Sequence, residues 1–188
     1  MTKYHIEPLP LRDAFLWRFP KYKDARGFFV EAFRIAFSER EALPSFVQDN
    51  LSHSIRGVLR GLHFQKLPHP QAKLITVLRG KIRDVIVDLR PTSPTYKRWV
   101  AVELSEEDNH FSWLYVPVGF AHGFYVLSDE ALVWYKCSDY YDPALDAGLR
   151  WNDPTLGIAW EISEAPILSE KDASLPFFDE RNNPFSDL

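Results

Sequence analysis

The stretch GVLRGLHFQ at Gly57–Gln65, followed by KLITVLRGKIRDVIVDL at Lys73–Leu89, decides the fold. Both stretches are rich in apolar and β-branched residues, which favour strands. A single glycine, Gly80, separates two apolar runs in the second stretch. We therefore expect a tight hairpin around Gly80, with two adjacent antiparallel strands.

Similar short runs recur on both sides, separated by turn signals such as Pro91–Pro94 and Ser128–Glu130. Further strands are predicted at Phe28–Phe33, Arg98–Leu104, Trp113–Val116, Gly123–Leu127 and Leu132–Ser138. Helical periodicity is confined to Ile35–Leu43 and Glu170–Ser174. Many short strands with few helices predict a β-sandwich or jelly roll, because a parallel α/β fold would need helices between its strands.

The composition is that of a globular chain of 188 residues, with 22 Lys and Arg against 26 Asp and Glu and a net charge of −4. This balance argues against a nucleic-acid partner. No linker, repeat or change of composition divides the sequence, so we expect one domain over residues 1–188. Cys137 is the only cysteine, which excludes an intrachain disulfide. No apolar run approaches the roughly 18 residues of a membrane span, and the N-terminal residues lack a signal-peptide core, so the expected location is the cytoplasm.

Two stretches resemble the paired motifs of the cupin superfamily. In Gly57–Gln65 the first glycine and His63 match the first motif. In VPVGFAHGF at Val116–Phe124 the proline, the first glycine and His122 match the second. The resemblance implies an all-β fold, a cupin-type antiparallel jelly-roll barrel with a few short peripheral helices.

Two of the four metal ligands of these cupin motifs are replaced in this sequence. Gln65 stands where a second histidine is expected, and Lys73 stands in the place of a glutamate. An ammonium group cannot ligate a divalent metal and would repel it. We therefore predict a barrel cavity whose chemistry needs no metal.

An ordered set of further motifs runs through the chain, at Asp24–Glu31, Val47–Asn50, Gln71–Leu74, Asp84–Arg90, Ser93–Thr95, Tyr135–Lys136, Trp151–Pro154 and Leu168–Asp172. Together with the cupin motifs they resemble the dTDP-4-dehydrorhamnose 3,5-epimerase family over roughly residues 1–180. The resemblance implies a metal-free and cofactor-independent isomerase that inverts C3 and C5 of dTDP-4-dehydro-6-deoxy-D-glucose to give dTDP-4-dehydro-L-rhamnose, in dTDP-rhamnose biosynthesis. It also implies a homodimer in which the N-terminal strands help to form the neighbour's site.

The chemistry of epimerisation agrees with this resemblance. A proton beside the C4 ketone must be removed and returned on the opposite face, which needs a base, an acid and a cation or donor for the enolate oxygen. The family pattern implies that His63 is the base, Asp172 the carboxylate that orients it and Tyr135 the acid. Lys73 would lie beside the developing oxyanion, as a catalytic and substrate-binding residue.

The resemblance also implies a set of residues that bind the nucleoside diphosphate and sugar. Arg26 and Arg60 can each form paired hydrogen bonds to phosphate oxygens. Amide side chains at Gln48 and Asn50 suit a thymine edge. The remaining family contacts fall on Glu31, His122, Lys171 and Asp146, the last of which replaces a glutamate usual in the family.

A geometric conflict arises between Arg60 and His63. In an unbroken strand, residues three apart face opposite sides of the sheet. Both can serve one site if Gly61 carries a β-bulge, or if Arg60 lies at a rim or a dimer boundary.

Three alternatives remain open. A single-position epimerase of another deoxysugar pathway could keep the same His, Lys and Tyr, and deuterium exchange at one carbon only would favour it. A metal-dependent cupin such as a dioxygenase would contain stoichiometric iron or zinc and lose activity to a chelator. A non-catalytic sugar- or nucleotide-binding barrel would keep its function after His63→Ala.

Overall fold

The computed structural model describes residues 3–162, 164–186 and 188. Its strands are β1 His5–Pro8, β2 Phe15–Pro20, β3 Tyr22–Asp24, β4 Gly27–Phe29, β5 Gln48–Ile55, β6 Leu59–Gln65, β7 Lys73–Arg79, β8 Lys81–Asp88, β9 Trp99–Ser105, β10 His110–Val116, β11 Phe120–Val126, β12 Glu130–Cys137 and β13 Asp146–Gly148. Its helices are α1 Ile35–Arg40 and α2 Glu170–Ser174, with a 3₁₀ turn at Glu180–Asn182.

The strands form two sheets that face each other. One sheet has six strands in the order β1-β2-β10-β7-β12-β5, and the other has five in the order β13-β6-β11-β8-β9. Strands β3 and β4 form a separate small hairpin. Every ladder between these strands is antiparallel. This architecture confirms the predicted all-β, cupin-type jelly-roll barrel with short peripheral helices.

The predicted hairpin at Gly80 is wrong. Strand β7 pairs with β10 and β12, whereas β8 pairs with β11 and β9 in the other sheet. Gly80 has a φ of +80°, and a Cβ atom there would lie 2.0 Å from the Glu130 carbonyl oxygen. The chain therefore turns a corner from one sheet to the other at a position where only glycine fits. The sequence pattern of two apolar strands around a glycine does not distinguish this corner from a hairpin.

Other local predictions had mixed outcomes. The predicted helix at Glu170–Ser174 is confirmed, and helix α1 ends at Arg40 rather than Leu43. The predicted strand at Phe28–Phe33 is wrong beyond Phe29, where β4 ends. Strand β5 was not predicted, because its inward-facing residues are polar and its apolar residues Leu51 and Ile55 point outward.

The interior between the sheets is divided into an apolar part and a polar part. Buried side chains from both sheets, such as Ile75, Val77, Ile82 and Phe124, form the apolar cluster. Tyr135 packs against this cluster from the polar side. The apolar cluster thus fixes the spacing of the two sheets, and the polar part of the interior contains the candidate functional side chains.

The outer faces of both sheets are covered. Trp17 and Trp113 of the six-stranded sheet are fully buried under segments that include Tyr4 and Phe37. The C-terminal part of the chain covers the five-stranded sheet through residues such as Trp160. No helix among the described residues is long and apolar enough to cross a membrane.

Candidate active site

A cavity of about 380 Å³ lies between the two sheets; we call it the main cavity. Its walls are formed by Gln48, Asn50, His63, Phe64, Gln65, Gln71, Lys73, Tyr135, Cys137, Tyr141, Asp146 and Lys171. A smaller inner cavity of about 170 Å³ is lined by Ser52, Arg60, His63, Lys73, His122, Phe124 and Tyr135. His63, Lys73 and Tyr135 line both cavities, so these three side chains stand where the two spaces meet.

His63 on β6 forms a close pair with Asp172 on α2. The distance from His63 Nε2 to Asp172 Oδ1 is 2.5 Å, and Asp172 is only 4% exposed. Ser169 caps α2: its hydroxyl accepts from the Asp172 backbone N–H at 3.0 Å and donates to Asp172 Oδ2 at 2.8 Å. Burial alone would raise the pKa of Asp172, but the hydrogen bond and charge of His63 and the Ser169 hydroxyl outweigh it, so this pKa is lowered. An ionised Asp172 can therefore hold the His63 ring in one orientation.

Lys73 begins β7 and faces His63 from the opposite sheet. Protein atoms surround its side chain, and this burial lowers the pKa of Lys73. The charges of Cys137, Asp146 and Asp84 oppose the shift. No hydrogen bond or ion pair to the Lys73 ammonium is found within the described part of the chain. The group is therefore available to a ligand.

Tyr135 lies on β12, beside β7 and across the cavity from His63. Burial raises its pKa, with a further contribution from Cys137, while Arg60 opposes the shift. The phenol is therefore protonated at neutral pH. An imidazole and a phenol thus stand on opposite walls, as proton transfer between opposite faces of a carbon requires.

The bulge at Gly61 is confirmed. His63 is opposite His122 on β11, but Arg60 is opposite Phe124, so β6 contains one more residue than β11 between these pairs. The extra residue brings Arg60 and His63 to the same inner cavity. Gly61 has a φ of +117°, and a Cβ atom there would lie 2.6 Å from the Gly123 Cα atom.

His122 is paired with Asp84, a residue to which the sequence assigned no role. The distance from His122 Nε2 to Asp84 Oδ2 is 2.8 Å, and Asp84 is fully buried. Burial raises the pKa of Asp84, whereas the charges of His122 and Lys73 and the hydrogen bond from His122 oppose this. A carboxylate inside the apolar run of β8 is a sequence signal that could have identified it.

The main cavity also contains Asp146, Lys171 and Tyr141. Asp146 accepts a hydrogen bond from the Tyr141 hydroxyl at 2.9 Å and forms an ion pair with Lys171. Burial would raise the pKa of Asp146, but these two partners lower it overall. The sequence did not identify Tyr141, although an exposed aromatic side chain next to the Asp142–Pro143 turn is a recognisable signal.

Gln48 and Asn50 on β5 also line the main cavity. Gln48 Nε2 donates to Asn50 Oδ1 at 3.1 Å, and Gln48 Oε1 accepts from the Tyr141 backbone N–H at 2.8 Å. These amides therefore connect one wall of the cavity with the loop that carries Tyr141.

Gln65, which replaces a cupin metal ligand, holds the loops around the main cavity. Its amide nitrogen donates to the carbonyl oxygens of His69 at 2.5 Å and Tyr140 at 3.0 Å, and its amide oxygen accepts from the Asp142 backbone N–H at 2.9 Å. Gln65 is 3% exposed. The amide nitrogen and the amide oxygen of Gln65 are thus both hydrogen-bonded to backbone groups.

Arg26 and Glu31 are not brought to either cavity of their own chain. Arg26 lies in the turn of the β3–β4 hairpin, with its side chain 89% exposed and paired with Asp24 at 2.6 Å. Glu31 follows this hairpin and accepts a hydrogen bond from Arg34 at 2.7 Å. The other predicted site residues all line one of the two cavities or, as with Asp172, contact a residue that does.

The donor set of the cavity is that of an acid–base site. Among the described residues, no group of three or more His, Cys, Asp and Glu could hold a metal ion. His63 and His122 are each hydrogen-bonded to a carboxylate. The Lys73 ammonium and the Tyr135 phenol line the inner cavity with them. The fold and these side chains define a cupin-type barrel with a proton-transfer site.

Comparison with known proteins identifies the family. The sequence profile of the dTDP-4-dehydrorhamnose 3,5-epimerase family matches residues 8–180. A relative of that name from Methanothermobacter thermautotrophicus is 51% identical over 154 residues, which cover 80% of this chain and 82% of the relative. The chain belongs to the dTDP-4-dehydrorhamnose 3,5-epimerase family, as the sequence motifs indicated.

Solved structures agree with this assignment. A dTDP-6-deoxy-D-glucose-3,5-epimerase from Legionella pneumophila, in complex with dTDP-4-keto-L-rhamnose, superposes with a TM-score of 0.88 at 42% identity and 93% coverage of each chain. A 3′-monoepimerase from Streptomyces bikiniensis, in complex with dTDP-quinovose, superposes with a TM-score of 0.83 at 37% identity, covering 91% of this chain and 86% of its own. Double and single epimerases therefore share this barrel.

The role of Gln65 can be tested by comparing two glutamines beside the same loops. Gln65→Met removes three hydrogen bonds between a buried amide and the backbone, so we expect it to lower the free energy of unfolding by about 2–4 kcal/mol. Gln71 makes one bond, to the Asp139 carbonyl oxygen at 2.8 Å, and is partly exposed. Gln71→Met should cost about 1 kcal/mol or less. Urea denaturation at one protein concentration measures both, and equal losses would contradict the assigned role of Gln65.

Proposed function

We propose that this protein is a cofactor-independent isomerase that converts dTDP-4-dehydro-6-deoxy-D-glucose to dTDP-4-dehydro-L-rhamnose, by inversion at C3 and C5, in dTDP-rhamnose biosynthesis. The observation that carries the proposal is that His63, Lys73 and Tyr135 line the same cavities from facing sheets. Membership of the family supports the substrate class. The proposal keeps two expectations from the sequence, namely one domain over residues 1–188 and action in the cytoplasm.

Proton abstraction is assigned to His63. Because Asp172 engages Nε2 of the ring, Nδ1 keeps its lone pair and takes the proton from the carbon beside the C4 ketone. The electron pair of the broken C–H bond forms a C=C bond to C4 of the sugar, and the C4 carbonyl oxygen takes up the negative charge of the resulting enolate. Asp172 stabilises the resulting imidazolium through its negative charge.

Stabilisation of the enolate and return of the proton come from the opposite wall. The Lys73 ammonium faces the oxyanion, and the Tyr135 phenol delivers a proton to the other face of the carbon, after which the ketone re-forms. A general base contributes roughly 10²- to 10⁴-fold to the rate, and one oxyanion donor about 3–4 kcal/mol. Both contributions are needed at once, because a carbanion next to a ketone forms only as its oxygen is stabilised.

The remaining side chains are assigned to binding. Arg60 is assigned to the phosphate oxygens, which its guanidinium group can bind in pairs. Lys171 is assigned to the ligand through its positive charge. Gln48 and Asn50 are assigned to the thymine edge, and His122 to the sugar. Asp146 is assigned to the ligand as well, in the position of the family glutamate.

Isotope exchange tests the reaction most simply. In D₂O, the protein should introduce deuterium at both C3 and C5 of dTDP-4-dehydro-6-deoxy-D-glucose, measured by NMR. His63→Asn should slow exchange at both carbons by about 10²- to 10⁴-fold and keep most of the affinity for dTDP. Tyr135→Phe should permit exchange but slow inversion, because the proton can no longer be delivered from the far face.

Each alternative predicts a different result from the same experiment. Deuterium at C3 only or at C5 only would indicate a single-position epimerase in place of a double one. Loss of exchange on treatment with a chelator would favour a metal-dependent cupin. If the substrate protons do not exchange although the dTDP-sugar binds normally, the protein is a non-catalytic binding barrel.

We also infer that the active form is a homodimer whose partner supplies Arg26 and Glu31. Strand β5 is an edge of the six-stranded sheet, and its Leu51 and Ile55 are 65% and 57% exposed. The β3–β4 hairpin exposes Phe28 and Phe29 as well. Exposed apolar side chains on an edge strand and hairpin are typical of a surface that pairs with a second copy. Pairing there would bring Arg26 of one protomer to the main cavity of the other, which no arginine of its own chain lines among the described residues.

Complementation between two inactive variants tests this exchange. Arg26→Ala and His63→Asn should each be inactive alone. If Arg26 acts in the partner's site, an equal mixture of co-expressed chains should regain about a quarter of the wild-type activity, since half of the dimers contain one intact site. Activity that stays at the level of the single variants would show that Arg26 serves its own chain's site or none.

A further inference from the structure

Asp84 is a buried carboxylate behind the His122 side chain of the inner cavity, and packing does not explain its presence. It is fully buried on β8, where its neighbours Val85 and Ile86 are apolar and also fully buried. Its Oδ2 is 2.8 Å from His122 Nε2, but its Oδ1 is buried and accepts no hydrogen bond from the protein groups that the structure describes. A half-satisfied buried carboxylate is costly, so an apolar residue would stabilise this strand better.

The position of Asp84 relates it to the proposed catalytic groups. Its partner, His122, is directly opposite His63 in the β6–β11 register. His122 also lines the inner cavity together with Lys73, and the negative charge of Asp84 favours the ammonium form of Lys73. Asp84 therefore links a histidine of the five-stranded sheet to the ammonium group of the six-stranded sheet, without lining either cavity itself.

We propose that Asp84 is a positioning residue of the active site, which holds the His122 ring with its proton on Nε2 and supplies the negative charge that keeps the Lys73 ammonium protonated in the cavity. The inference rests on the proposed function, because Asp84 is argued to position His122, which is assigned to the sugar, and to keep charged Lys73, which is assigned to the enolate oxygen. Asp84 acts through His122 and Lys73 and does not touch the substrate.

The electrostatic part of this role follows from the surroundings of Lys73. Burial lowers the pKa of Lys73, and the charges of Cys137, Asp146 and Asp84 raise it, while Lys171 lowers it further. The other titratable groups that line the inner cavity with Lys73 are Arg60, His63, His122 and Tyr135. Asp146 is already engaged by Lys171 and Tyr141, so its charge is largely compensated. Asp84 is fully buried, and the hydrogen bond described for its carboxylate is to the His122 ring, so its negative charge acts on the ammonium together with that of Asp146.

The orientational part follows from hydrogen-bond chemistry. A neutral imidazole has one donor and one acceptor nitrogen, and the partner of one nitrogen determines the role of the other. With Nε2–H donated to Asp84, the Nδ1 atom of His122 is an acceptor. It can then receive a hydroxyl hydrogen of the sugar, which is the contact assigned to this residue.

The test compares Asp84→Asn with a control that removes the same charge from the outer face of the same sheet. The control is Glu103→Gln, because Glu103 on β9 pairs with Lys81 and Arg83 outside the cavity. Nitrogen-15 NMR of the histidine rings and a pH titration of the Lys73 side chain are recorded for the native protein and both variants. Steady-state kinetics with dTDP-4-dehydro-6-deoxy-D-glucose are measured over the same pH range.

The native protein should show a single His122 tautomer with the proton on Nε2. In Asp84→Asn this preference should weaken, and the Lys73 titration midpoint should fall. Activity requires the ammonium form, so the decline of kcat on the alkaline side should move to lower pH by the same amount. At neutral pH, kcat should fall about 10- to 100-fold, with KM changed less than about threefold. Glu103→Gln should match the native protein in every measurement.

An Nδ1–H tautomer of His122 in the native protein would overturn the orientational role, even if Asp84→Asn fails to fold. An unchanged Lys73 midpoint in folded Asp84→Asn would overturn the electrostatic role. The NMR measurements need no substrate, so they decide the role of Asp84 separately from the reaction. If the native protein does not exchange the C3 and C5 protons, the proposed function fails, whatever the NMR result.

Discussion

The structure depends on an imidazole and an ammonium that face each other across one cavity. His63 belongs to the five-stranded sheet and Lys73 to the six-stranded sheet, so their separation is set by the packing of the two sheets. The apolar cluster formed by residues such as Ile75 and Phe124 fixes that packing. A buried ammonium is costly, and carboxylates around the cavity reduce this cost. The fold therefore holds the imidazole and the ammonium, which we propose as base and cation, on two packed sheets, and flexible loops would position them less precisely.

The cavity illustrates how a metal-binding barrel can be converted to acid–base chemistry with few changes. The position of a second ligand histidine is taken by Gln65, which binds three backbone groups and stabilises the loops that carry Tyr141 and Asp146. Lys73 takes the position of a ligand glutamate and faces the reaction space. His63 keeps its place but is paired with Asp172, which favours a role as base. Gln65 and His63 thus contact protein groups where the cupin motifs have metal ligands.

Much of the site was predictable because its residues fall at fixed spacings within strands. His63, Lys73 and His122 were placed by the two cupin motifs. The parity of Arg60 and His63 predicted either a bulge at Gly61 or a position of Arg60 at a rim or dimer boundary, and the register contains the bulge. The corner at Gly80 was not predictable, because strand propensity does not specify which sheet a strand joins. Strand β5 was missed since its cavity-facing residues are polar.

Two further gaps have physical causes. Asp84 acts through partners on other strands, and its pairing with His122 becomes visible only when the strands are brought together. The contributions assigned to Arg26 and Glu31 require a second chain, which one sequence does not describe. Predictions from one chain are therefore most complete for contacts within a strand and least complete for contacts between chains.

The most direct test of the central claim is the rate of substrate proton exchange in Lys73→Met. This variant removes the ammonium but leaves the His63–Asp172 pair in place. The account predicts that exchange at C3 and C5 in D₂O slows at least about 100-fold, while the Kd for dTDP changes less than about tenfold. Exchange within tenfold of the native rate would show that the base works without the facing cation, and would contradict the account.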